Sequence, residues 1–161
     1  MARTLVGATF AAALASGLVA GVFWAFSSFI MAGLSRLTPP QGISAMSSIN
    51  VTVIGSGFLI TLLVTAVASI ALAIANLAAW QGSSSWLYLA ACFIYLVGVV
   101  GVTMACNVPL NESLAHVDPT SAEAAAMWAR FVPSWTAWNH VRTLSAFAAS
   151  AAYVAGLVFR P

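Results

Sequence analysis

The chain has no lysine, only three acidic residues and only five arginines in 161 residues. A charged fraction of 5 % against a hydrophobic fraction of 62 %, with mean hydropathy of +1.01, excludes an ordinary soluble domain, where about a quarter of residues are charged. A net charge of +2, dispersed along the chain, gives no basic surface for nucleic acid. Cysteine is scarce too. Cys92 and Cys106 would lie about 21 Å apart on one helix, too far for a disulfide, and read as small hydrophobes in helix contacts. The remaining class is an integral membrane protein forming a single domain, with the lipid bilayer as its first partner.

What is abundant is long apolar runs, and four of them are long enough to cross a bilayer, which takes about 20 residues. The first runs from Thr4 to about Leu34; its apolar core is too long for a signal peptide and reads as an uncleaved span. Ala13, Gly17, Ala20 and Gly21 give it a small-residue face, and Trp24, Ser27 and Ser28 continue toward the bundle. Arg36 and Pro39-Pro40 are expected to end it. After the connection 41–50, a second span is expected over 51–80, with Asn50 as its N-cap and Thr61 and Thr65 bonding back to their own helix. The turn 81–85, bracketed by Trp80 and Trp86, leads to a third span over 86–104. There Tyr88, Cys92, Tyr95, Val99 and Cys106 share a face that should turn inward, because buried tyrosine hydroxyls seek partners.

The stretch from Asn107 to Arg142 breaks the pattern. It holds Glu112, Asp118, Glu123, Arg130 and Arg142, together with His116 and His140, the two histidines of the chain. A short amphipathic helix is expected over 121–131, ended by Pro133, before a fourth span over 134–159. The fold class is therefore all-α: a transmembrane four-helix bundle running up-down-up-down, with that short amphipathic helix between spans three and four. Both termini fall on one side, read as cytoplasmic, and the sequons at Asn50 and Asn111 read as chance, in keeping with a multi-pass protein of a bacterial cell membrane.

At about 100° per residue, Trp135, Trp138, Asn139 and Arg142 share one face of the fourth span, whereas His140 falls about 160° from Arg142. His140 is the natural acid–base candidate, yet a regular helix turns it away from the arginine. An arginine at membrane depth needs a partner, a cavity or the interface: Arg142 either serves a site, snorkels, or pairs with Glu112, Asp118 or Glu123. Asn107, Pro109 and Asn111 form N-x-P-x-N at the end of the third span. Its amides either satisfy carbonyls freed by Pro109 or point into a pocket as oxyanion donors. Asn50 and Tyr95 join the substrate-side candidates.

GVFWAFSSFIMAGL in the first span, SIN before the second, NVPLNESL after the third, and W-x6-W-x2-WN-x2-R from Trp128 to Arg142 together resemble the anthrone oxygenase-like family of small four-span membrane proteins, over nearly the whole chain. The resemblance implies a four-helix membrane bundle and, as in fungal polyketide-pathway members, oxidation of an anthrone to an anthraquinone by dioxygen without a bound cofactor. It carries over Asn107, Pro109, Asn111, Trp135, Asn139, His140 and Arg142. On this reading His140 or an acid of the connection acts as base. Arg142, Asn107 and Asn111 hold the anion, and Trp135 and Trp138 stack on a flat apolar aromatic substrate. Two alternatives stand beside it. One is a non-enzymatic module binding a lipid or quinone-like ligand or assisting a larger complex. The other is a haem protein ligated by His116 and His140.

Overall fold

In the computed structural model, which describes residues 2–80 and 82–160, the chain is helical and contains four helices long and apolar enough to cross a membrane. We label the helices α1 (Arg3–Leu34), α2 (Pro39–Ile54), α3 (Gly57–Ala78), α4 (Ser83–Ala115) and α5 (Ala124–Val158). α1, α3, α4 and α5 pack as a ring in which each helix touches the next and α5 closes back on α1. The termini meet at one end, where Leu5, Asn76, Tyr88 and Arg160 surround a small cleft, and the two polar connections lie at the other.

Small residues set the close contacts. Ala13, Ala20, Ala146 and Ala149 are buried between α1 and α5, and the Ser150 hydroxyl donates to the Ala13 carbonyl at 2.8 Å. Of the expected small face of α1, Gly17 lies against Ser150, while Gly21 has open space around it and Trp24 is 57 % exposed. Trp24 therefore faces the lipid and not the bundle. Thr61 and Thr65 bond back to Gly57 and Thr61 as expected. Tyr88, Cys92, Tyr95 and Val99 are buried along one side of α4, with Cys106 half-buried. Tyr95 donates to the Leu62 carbonyl at 3.2 Å. Trp80 and Trp86 stack edge-on at 5.1 Å beside the turn that joins α3 to α4.

Four boundaries differ from the sequence reading, and proline and the caps explain most of them. α1 stops at Leu34, and Pro39-Pro40 start α2 rather than ending α1, because proline at the first helical positions gives up no needed hydrogen bond. Thr38 and Gln41 form a capping box there, so the stretch taken as a loop is helical. Asn50 consequently lies inside α2, and the N-cap of α3 is Ser56, whose hydroxyl accepts from the Leu59 amide. α4 does not end at Met104: it runs through Pro109 to Ala115, with π-helical turns at Tyr95–Gly101 and Thr103–Asn107 that absorb the irregularity before the proline. α5 passes uninterrupted through Pro133, so most of the expected short amphipathic helix is its first two turns. Proline is tolerated within membrane-protein helices because neighbouring groups satisfy the freed carbonyl.

These extensions build a second layer above the bundle. Met31, Ile43, Met46, Leu114, Ala124, Trp128, Phe131 and Trp135 form one buried cluster that joins α2 to the ends of α1 and α4 and the start of α5. Gly42 permits a close approach within this layer, since a Cβ there would stand 2.6 Å from the Trp128 ring. In the connection 116–123, the Asp118 carboxylate accepts from the Thr120 amide and hydroxyl, which hold its pKa below the ordinary value.

Candidate functional site: a buried arginine cradle

Where the bundle meets this second layer, Arg142 is buried, with only 5 % of its surface exposed. Its guanidinium carbon stands 4.4 Å from the centre of the Phe23 ring and 4.9 Å from that of Trp135. One terminal nitrogen donates to Asn139 Oδ1 at 2.8 Å, and the other reaches Thr103 Oγ1 at 3.5 Å. Among the described residues, no carboxylate pairs with it, and its Nε is buried without a hydrogen-bond partner. The pairings considered with Glu112, Asp118 and Glu123 do not form, nor does the side chain snorkel to solvent. Such a charge is held by aromatic faces and neutral oxygens alone; a desolvated cation–π contact contributes about 2 kcal/mol.

Counting hydrogens fixes the direction of the network. Both Nδ2 hydrogens of Asn139 are used, one on the Phe23 carbonyl at 2.8 Å and one on the Ser27 hydroxyl at 2.7 Å. The amide therefore turns its carbonyl oxygen to Arg142. Thr143 gives its hydroxyl hydrogen to the Asn139 carbonyl, which leaves Ser27 as the donor in the 3.2 Å contact between Ser27 and Thr143. α1 and α5 are thus latched together by the groups that orient the arginine.

The two amides of the N-x-P-x-N element converge on Trp135. Asn107 donates to the Trp135 backbone carbonyl at 3.2 Å, and Asn111 Oδ1 accepts from the indole N–H at 2.8 Å. Asn107 is 1 % exposed, and its Oδ1 is buried without a partner among the described residues. Phe26 lies against the Trp135 ring at 5.6 Å, and Phe131 and Trp128 continue the row, with ring separations of 6.4 Å and 5.6 Å.

The structure brings together Arg142, Asn139, Trp135, Asn107 and Asn111. It does not bring in the others. His140 is exposed on the opposite side of α5, as the helical angle required, and Trp138 is 43 % exposed although the angle placed it with the cradle. About 60° from Trp135 is enough to carry a side chain past the edge of a narrow buried stripe. Tyr95 is spent on Leu62 one layer below, and Asn50 is half-buried on α2, outside the cradle's hydrogen bonds. His116 is exposed in the connection, with Nδ1 on the Glu112 carbonyl, so neither histidine faces the arginine. Phe23, Ser27, Thr103 and Thr143 were missed as site residues. The signal available was Ser27 and Thr103, isolated hydroxyls late in apolar spans.

The cradle offers a positive charge, neutral polar atoms and aromatic faces in a setting without solvent, the chemistry that a flat apolar anion would need. The model of the anthrone oxygenase family matches residues 45–152, which include the cradle residues contributed by α4 and α5. No curated protein and no solved structure matches the chain. With four apolar membrane-length helices and a family match across most of its length, the chain belongs to the anthrone oxygenase family.

Proposed function

We propose that this protein is a membrane-embedded oxygenase that takes a flat, apolar, enolisable or phenolic compound and oxidises it with dioxygen, using no bound cofactor. The observation that carries the reading is Arg142, a buried cation without a carboxylate, flanked by two aromatic rings. An uncompensated charge at this depth is costly, and a bound anion is the partner that would offset it. Family membership supports the same class of chemistry.

In this scheme an acidic C–H of the substrate loses its proton and the negative charge moves to the conjugated oxygen, held by Arg142. The electron-rich carbon passes one electron to dioxygen, and the two radicals combine to a peroxide anion, which takes up a proton. Loss of water from the hydroperoxide leaves a carbonyl, so that CH2 and O2 give C=O and H2O. The cradle's share is electrostatic: it lowers the cost of the anion, and the proton departs to water or to a group outside the described network. His140 has no part in it.

Oxygen uptake by purified protein with an anthrone-type substrate tests the proposal. Arg142→Met should reduce the rate at least about 100-fold, the range for loss of a principal electrostatic group, and His140→Ala should change it less than about twofold. Uptake that survives in Arg142→Met removes the cradle from the reaction; a stoichiometric complex with no turnover of any substrate favours the non-enzymatic module.

A further inference from the structure

Two buried atoms in the cradle have no partner among the described residues, and they are of opposite kind. Arg142 Nε is a donor, and Asn107 Oδ1 is an acceptor. The acceptor's identity is fixed, because only the NH2 side of the Asn107 amide can serve the Trp135 carbonyl. Both residues are anchored on Trp135, one over its ring and the other on its backbone. Arg142 also reaches Thr103, four residues before Asn107 on α4, so both side chains lie between the same stretches of α4 and α5. Native structures leave few buried polar atoms unpaired, and leaving an acceptor unmade is costly.

Resting on the reading that Arg142 holds the substrate's anionic oxygen, we propose that Asn107 is a specificity-determining residue whose side-chain carbonyl accepts a hydrogen bond from a donor on the same edge of the substrate. The preferred ligand is therefore a flat aromatic anion with an O–H or N–H beside its charged oxygen, free to turn outward. Ligands lacking that donor bury Asn107 Oδ1 unpaired and bind less well. An asparagine suits this role better than an aspartate, whose charge would neutralise Arg142 and remove the attraction for the anion.

The test uses three probes that share one ring system: 2-naphthol, naphthalene-2,3-diol and 3-methoxy-2-naphthol. Affinity is measured by absorbance titration of the full chain in nanodiscs, with empty nanodiscs subtracted and each value corrected to the anion by the probe's own pKa. The wild type should bind the diol about tenfold more tightly than 2-naphthol, the worth of one neutral hydrogen bond. The methoxy compound, in which the donor is blocked, should bind no better than 2-naphthol. Asn107→Leu should bring the ratio of diol to 2-naphthol affinity down to about one, and Arg142→Met should weaken all three.

A wild-type ratio near one, a methoxy compound that matches the diol, or a preference that persists in Asn107→Leu overturns the inference while leaving the arginine cradle standing. Unchanged affinities in Arg142→Met, or no binding of any probe to wild type, overturn the cradle reading and this inference with it. If Asn107→Leu does not fold, the methoxy comparison on the wild type decides alone.

Discussion

Arg142 is where function and stability part. Its guanidinium gains two cation–π contacts and one good hydrogen bond, and bears the desolvation of a full charge. Arg142→Met keeps most of the apolar volume between Phe23 and Trp135 and removes the desolvation cost, but strands Asn139 Oδ1. These opposing effects, each of about 1–3 kcal/mol, should nearly cancel. The expected outcome is a melting temperature within a few degrees of wild type alongside lost anion binding; a large drop would instead mark the arginine as structural. Asn139→Leu should behave differently. It removes a hydrogen bond each from the Phe23 carbonyl, the Ser27 hydroxyl and an arginine nitrogen, and should cost about 3 kcal/mol or more in a thermal melt. The sequence disclosed this residue's place, since Trp135, Asn139 and Arg142 at spacings of four and three lie on one helical face. It did not disclose Phe23, because its part comes from α1 meeting α5.

At the scale of the element, the prolines have other neighbours than the sequence pattern suggests. Pro39-Pro40 ended nothing, because Thr38 and Gln41 were waiting to cap a helix behind them. Pro133 and Pro109 ended nothing either, because the helices continue into a packed layer whose burial outweighs the missing hydrogen bond. Local pattern carries propensity, but that layer forms only once α2, α4 and α5 are together, so no single stretch announces it. Two substitutions check this account by thermal denaturation. Gly42→Ala should lower stability by about 1–3 kcal/mol, because the new methyl group enters the Trp128 ring and both backbones are held by the layer. Pro133→Ala restores an amide donor in an exposed position of a continuous helix, and should raise stability by about 1 kcal/mol or more. A fall in Pro133→Ala would mean that the proline shapes the helix over the site.

For the whole molecule, helix lengths locate the cradle in depth. α3 has 22 residues, about 33 Å, which matches a hydrocarbon core of about 30 Å, whereas α5 has 35 residues, about 52 Å. Measured from their shared ends at the terminal side, about 20 to 25 residues of α1, α4 and α5 reach Ser27, Thr103 and Asn139, the three levels that the cradle's hydrogen bonds tie together. Arg142 therefore lies near the inner edge of one membrane boundary. α2 and the extensions of α4 and α5 stand above it, and exposed Trp138 stands at the level where aromatic belts form. On the proposed function, an apolar substrate would arrive through the bilayer and meet a charge at the depth where its ionised oxygen costs least. This geometry predicts sidedness. In a Cys92→Ala, Cys106→Ala background, single cysteines replacing Glu112, Asp118 or Glu123 should react with an impermeant thiol reagent from one side of sealed vesicles, and a cysteine replacing Arg160 should react only from the other. Labelling of Asp118→Cys and Arg160→Cys from the same side would break the up-down-up-down path, and with it the placement of the cradle at the boundary opposite the termini.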